Sequence, residues 1–243
     1  MLTFAARNRK EVLRDPLTLA FILGFPMVLI FLISILQRSI SQMPVDLFGI
    51  ESFAPSMAVF GISFLPLFIG MLMINDKNSS FLTRLFASPL RASDFILGYS
   101  LPFLPIALAD GMLCLVFSAI FGLEIGWNFL LACVVLVPIT AFYIAIGLLL
   151  GACLSSSPQV GGVGSILINV AAWLSGTWFD VQLIGGMFET ICNLLPFVHT
   201  VNALKAVFLC DYAEILPNLI WVISYTLIVL LAAILCFHQK MRR

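Results

Sequence analysis

Six unbroken apolar runs recur along this chain, at about Leu17–Gln37, Pro55–Asn75, Phe95–Phe121, Asn128–Leu154, Gln159–Phe179 and Pro217–Phe237. Each is close to the roughly 20 residues of helix that cross a hydrocarbon layer about 30 Å thick. A transmembrane barrel would show alternating segments of about ten residues. Continuous runs predict helices, whose backbone groups are satisfied within the segment. Pro26 and Pro66 predict kinks in the first two spans, since each removes a backbone donor. Three further segments carry shorter patterns. Residues 1–16 place Leu2, Ala5, Ala6, Val12 and Leu13 on one face and Arg7, Arg9, Lys10 and Arg14 on the other, which predicts a helix lying in the membrane interface. It ends at Arg14-Asp15-Pro16, because a residue before proline is pushed out of the helical region. Residues 79–88 begin with Ser79 and Ser80 as capping hydroxyls and carry Phe81, Leu82, Leu85 and Phe86 on one stripe before Ser88-Pro89. A helix of about two turns does not hold alone in water, so it must dock on a membrane surface or a partner. Residues 181–213 hold two apolar helical patterns, Val181–Leu195 and Val198–Leu209, separated by Pro196. They read as short helices that dip into the outer leaflet and return, or as a surface hairpin.

Composition sharpens the class. Of 243 residues, 62% are hydrophobic and 10% charged, with mean hydropathy +1.13, against roughly 25% charged in a soluble domain. Net charge is zero but unevenly placed. With both termini cytoplasmic, Arg7, Arg9, Lys10, Arg14, Lys77, Arg84, Arg91, Lys240, Arg242 and Arg243 fall inside, and Asp46, Glu51, Glu124, Asp180, Glu189, Asp211 and Glu214 outside. The positive-inside rule supports that orientation and a multi-pass cell-membrane protein. The first run is of spanning length with basic flanks and reads as an uncleaved insertion signal. Cys114, Cys133, Cys153 and Cys236 read as small apolar residues in or beside spans. Cys192 and Cys210 share the last external segment, where a disulfide is open but not specified by spacing.

Catalytic motifs are missing from this sequence. A phosphate-binding loop needs Gly-x-x-x-x-Gly-Lys-[Ser/Thr], and none of Lys10, Lys77, Lys205 and Lys240 follows a glycine. His199 and His238 stand far apart, outside any zinc-protease pattern, and no catalytic or metal residue is assigned. Asp110 is the one ionisable residue deep in a span, a position that by default suggests function. It could pair with Thr140, Tyr143 or Asn169, line an aqueous pathway, or serve as a protonated donor. Gly147-x-x-x-Gly151 matches the small-residue helix-packing pattern.

Three features, in this order and spacing, resemble the type-2 permeases of ABC exporters. They are Arg14-Asp15-Pro16, the stretch Thr83-Arg84-Leu85-Phe86-Ala87-Ser88-Pro89, and Leu195-Pro196-Phe197-Val198-His199. The resemblance covers essentially the whole chain as one domain, 1–243. It implies an all-α integral membrane fold: six transmembrane helices, an N-terminal interfacial helix, a cytoplasmic coupling helix between spans two and three, and re-entrant external helices between spans five and six. It further implies a non-catalytic permease subunit of an ATP-driven exporter. The chain itself would bind no cofactor, since ATP and Mg would sit on a separate ATP-binding subunit. That subunit would grip Phe81, Leu82, Arg84, Leu85, Phe86 and Pro89. A second permease protomer, identical or related, would pair through Gly161, Gly164 and Ser165. Phe25, Met27, Phe31, Asp110, Asn169, Trp173 and Trp178 would lie along the pathway, although Trp173 and Trp178 read equally well as belt aromatics at the outer interface. The other partner is the lipid bilayer, and no nucleic acid is expected. An apolar, aromatic pathway suits a hydrophobic or amphiphilic compound such as a drug or lipid. The alternatives are glycan export within the same family and an ion-coupled secondary transporter.

Overall fold

A computed structural model describes residues 2–16, 20–39, 49–79 and 92–241. Among these the chain is helical throughout, with no strand. The elements are α1 (Leu2–Arg14), α2 (Phe25–Ser39), α3 (Ile50–Ile62), α4 (Leu65–Asn78), α5 (Ala92–Ala119), α6 (Trp127–Cys153) and α7 (Ser157–Leu174). The order continues with α8 (Val181–Ile184), α9 (Gly186–Leu194), α10 (Pro196–Phe208) and α11 (Tyr212–Met241). Four stretches are long and apolar enough to cross a membrane: Ile50–Asn78, Ile96–Ala119, Trp127–Cys153 and Tyr212–Gln239. A fifth is added if α9 and α10, bent by 84° to each other, count as one span. The predicted first and fifth spans appear as shorter elements. Ala20–Leu36 is a shorter apolar stretch, and α7 has 18 residues with Pro158, Gln159, Gly161, Gly162 and Gly164 diluting its first turns.

Both predicted kinks correspond to breaks. Ahead of α2 the backbone widens into a π turn, Ala20–Gly24. Pro26 has no N–H to offer the carbonyl of Ile22 and would crowd it, and the wider turn accommodates both effects. In span two, α3 stops at Ile62 and α4 restarts at Leu65 with Pro66 in its first turn. At the break the Ser63 hydroxyl donates to the Phe60 carbonyl at 2.6 Å.

Span two is the pillar of the fold. Some 83% of its central window is buried, against 17% for α11. α3 packs on α2, α5 and α10, and α4 packs on α6 and α7. Missing side chains permit this crowding. A Cβ on Gly147 would come within 2.8 Å of Ile69 and 3.0 Å of the Pro66 backbone, so the Gly147-x-x-x-Gly151 pair brings α6 against α4. Gly70 likewise receives Val160 of α7.

The face of α1 differs from the lipid-facing stripe expected of it. Ala5, Asn8 and Val12 are buried, and α1 packs along α5. An interfacial stripe reads the same as a protein-facing one when the partner helix lies far off in sequence.

At Gly61 a Cβ would stand 2.7 Å from Asp110 Oδ2 and 2.8 Å from Pro26 Cγ. Gly61→Ala should therefore destabilise the fold by about 1–3 kcal/mol. Gly162→Ala, with nothing within 4 Å, should be neutral or slightly stabilising. Thermal unfolding of the two variants in detergent checks the contrast.

Candidate functional site

The last turn of α4 carries Asn75, Asp76 and Lys77, and each reaches a different neighbour. The Asp76 carboxylate is almost fully enclosed, with 1% of its surface exposed. A buried charge is tolerable only when paired and hydrogen-bonded, and both of its oxygens are served. Arg7 Nη2 of α1 donates to Oδ1 at 2.6 Å, and the Tyr99 hydroxyl of α5 donates to Oδ2 at 2.8 Å. Through that hydrogen bond Asp76 raises the Arg7 guanidinium above its ordinary range, so Arg7 stays charged. Arg7 is also steadied by Glu11, one turn on, at 2.9 Å. Next to it the Asn8 amide donates to the Gly98 carbonyl at 3.2 Å, a second tie between α1 and α5.

Lys77 turns the other way. Its ammonium donates to the carbonyl of Gly151 and, at 3.4 Å, to that of Leu154. These sit where α6 ends and its last carbonyls lack helical donors, a place that favours a cation. Asn75 Oδ1 accepts from the Ser157 hydroxyl at the start of α7, 3.3 Å away. Three consecutive residues thus join the foot of α4 to α1, α5, α6 and α7.

The predicted coupling segment, with Phe81, Leu82, Arg84, Leu85, Phe86 and Pro89, lies outside the described residues. It follows directly on Ser79, whose hydroxyl donates to the Asp76 carbonyl at 3.1 Å.

Two of the pathway candidates, Phe25 and Trp178, pack on a common neighbour, Phe60. Phe25 packs on Phe60 with ring centroids 6.0 Å apart, and Phe60 on Trp178 at 5.5 Å. Phe64 and Phe21 extend this cluster at the span-two break. Phe31 stands apart, against Phe121, and Trp173 packs on Phe179. Asn169 is exposed and donates within its own helix to the Ser165 carbonyl. Met27 is partly buried against the core. Asp110 is fully buried. Its Oδ1 accepts from the Cys114 thiol at 3.8 Å, and Oδ2 has no partner among the described residues. It forms no bond to Thr140, Tyr143 or Asn169; the Thr140 hydroxyl is buried without a partner as well. Asp110 borders the notch at Gly61 together with Pro26 and the Ile22 carbonyl.

Of the dimer candidates, Gly164 is occupied within the chain: its missing side chain makes room for Leu67 of α4. Ser165 lies on the exposed face of α7 with Gly162, Ile166, Asn169 and Trp173, and Gly161 is intermediate.

At the opposite end, α8 to α10 form a bent assembly beside a cavity of about 670 Å³. Positive φ at Gly185 and Gly186 breaks the helix expected over Val181–Leu195. His199 binds this assembly to α11. Its Nδ1 faces Asn218 Oδ1 at 2.6 Å and its Nε2 faces the Asn193 carbonyl at 2.9 Å, while the Asn218 amide donates to the Glu214 carbonyl. The ring lies 5.1 Å from that of Trp221 and within 5° of parallel, a stacked pair. Tyr225 adds a bond to the Leu194 carbonyl at 2.8 Å. Cys192 and Cys210 are not joined: Cys192 is buried with Val181 and Val198, and Cys210 faces Asn128.

A family model described as ABC-2 type transporter matches residues 1–209. The chain belongs to the ABC-2 type transporter family. It is also similar to ABC transporter G family member 20 of Dictyostelium discoideum, 25% identical over 198 residues. That stretch is 78% of this chain and 25% of the relative, so the chain spans about a quarter of that protein's length. Membership makes it a transporter membrane component. None of Arg7, Asp76, Lys77, Tyr99, Phe60 and Phe64 was singled out as a site residue from sequence. Arg7 and Asp76 are 69 residues apart and Tyr99 is 23 from Asp76, so no local pattern joins them. The one available signal is an acid-base pair, Asp76-Lys77, at the end of an apolar run.

Arg7→Ala should cost about 1.5–3 kcal/mol, the loss of a hydrogen bond to a buried charge, and Arg7→Lys less. Thermal unfolding in detergent reads the series, and an alanine variant as stable as the parent would count against the contact. His199→Phe keeps a ring on Trp221 and removes both ring nitrogens from their contacts with Asn218 and Asn193. It should speed amide exchange in residues 186–195 and leave α5 and α6 unchanged.

Proposed function

We propose that this chain is the permease half of an ATP-driven exporter for a hydrophobic or amphiphilic compound, worked by a separate ATP-binding subunit from the cytoplasmic side. Six spans cross the membrane, the shorter Ala20–Leu36 stretch and α7 among them, with both termini inside and the α8–α10 assembly dipping into the outer leaflet. Two such chains pair.

One observation carries this reading. The segment expected to be gripped by the ATP-binding subunit, residues 79–88, hangs from the most enclosed span, and the foot of that span is tied to four other helices by Arg7–Asp76, Tyr99–Asp76, Lys77–Gly151 and Ser157–Asn75. A load applied at Ser79 therefore reaches α1, α5, α6 and α7 together. The break at Ser63–Phe64 lets α4 swing while α3 stays with α2, α5 and α10. α7 follows α4, because Val160 and Gly164 interlock with Gly70 and Leu67.

The exposed face of α7 then supplies the contact between chains. Asn169 would present an amide to hydrocarbon in a lone protomer, a costly position. A second chain or a water-lined route beside it removes that cost. The Phe21, Phe25, Phe60, Phe64 and Trp178 cluster offers rings and no charge at the span-two break, which suits an apolar cargo.

Leu85→Asp or Phe86→Asp should leave membrane insertion intact and abolish co-purification of the ATP-binding subunit. Asp76→Asn should keep that subunit bound while transport per ATP hydrolysed falls several-fold. Retained co-purification and transport in the Leu85 and Phe86 variants would refute the proposal.

A further inference from the structure

Cys153 is the last residue of α6, and Cys236 lies near the end of α11. They are 83 positions apart, yet the Cys153 thiol points at the Cys236 sulfur across 3.4 Å. Cys153 is exposed and Cys236 half-buried. Of the other four cysteines, Cys114 is turned to Asp110 inside the bundle, Cys192 is sealed in a small apolar core, Cys210 stands beside Asn128, and Cys133 is half-buried along α6.

We propose that Cys153 and Cys236 form a dithiol modification site that closes to an intramolecular disulfide by exchange with a small-molecule disulfide of the glutathione type. The sulfurs must close from 3.4 Å to about 2.05 Å. That movement falls to side-chain rotation at a helix end rather than to the helices. α6 and α11 are already packed against each other, and the chain leaves the helix at Leu154, where ψ is 162°.

The exposure of the two thiols sets the order of events. Cys153 loses its proton to water, and its thiolate attacks one sulfur of the small disulfide. One small thiolate leaves, and a mixed disulfide remains on Cys153. Cys236 then loses its proton, attacks the Cys153 sulfur and expels the second small thiolate. Two protein thiols are oxidised, one small disulfide is reduced to two thiols, and the two protons released by the protein end on them. An accessible attacking thiol beside a resolving one is the arrangement that lets such oxidation stop at a reversible stage.

The position gives the bond a consequence. Gly151 and Leu154, whose carbonyls receive Lys77, flank Cys153. A disulfide there would tether α11 to the joint at the foot of α4. The chemistry of the pair does not depend on the proposed transport role, and its test reads peptide masses alone.

The detergent-solubilised protein is treated with oxidised glutathione, remaining thiols are blocked with N-ethylmaleimide, and peptides are identified by mass spectrometry. The expected product is a Cys153-containing peptide joined to a Cys236-containing one and released by dithiothreitol. Cys236→Ser should stop the reaction at a glutathione adduct on Cys153, and either serine variant should lose the joined species completely. Separate adducts on the two cysteines of the unmodified protein would overturn the proposal. So would intact thiols at both positions in a sample where exposed Cys210 has reacted.

Discussion

A carboxylate with 1% of its surface exposed has to be met by donors wherever the chain can supply them, and Asp76 draws its donors from two other helices. This need organises one end of the molecule. Among the described residues, Ala5, Val12 and the Asn8 bond also hold α1 on α5. Without Tyr99, the second oxygen would lose its hydroxyl donor. The neighbouring Lys77 turns away from this pair to the end of α6, so two opposite charges one residue apart fasten opposite sides of the same helix. The arrangement costs desolvation and returns rigidity.

Rigidity at the foot is matched by breaks above it. The π turn before Pro26 and the gap at Ser63–Phe64 sit beside one another through Phe21, Phe25, Phe60 and Phe64. Gly61, one residue from Phe60, holds open the notch where Asp110 and the Ile22 carbonyl lie. Both breaks therefore lie close to Asp110, a buried carboxyl whose Oδ2 has no partner among the described residues. An unpartnered buried oxygen favours rearrangements that find it a donor, which gives the breaks something to work against.

Much of this architecture was legible in the chain. The apolar runs located the second span, α5, α6 and α11 to within about five residues at each end, because continuous hydrophobicity over a span is a strong signal. Pro26 and Pro66 marked both breaks, since a missing N–H acts locally. Gly147 and Gly151 were read as a packing pair and pack on α4. The contacts that join distant segments were not legible. The apolar run was drawn to end at Asn75, so Asp76 and Lys77 read as part of a polar gap. α1 was turned toward lipid because nothing near it in sequence announces Gly98 or Tyr99. The first helix of the 181–213 segment was drawn unbroken, since its apolar spacing runs straight through Gly185 and Gly186, whose backbone departs from it.

α11 holds 30 residues, a rod of about 45 Å at roughly 1.5 Å per residue, set against a hydrocarbon layer of about 30 Å. Such a helix must lean or protrude. One part of it is stapled to the bent assembly through Asn218, Trp221 and Tyr225, and little of its apolar stretch is buried within the chain. A thicker or thinner bilayer would change that lean and strain the staple at His199. The lipid surroundings thereby acquire a mechanical grip on the end of the molecule farthest from Asp76.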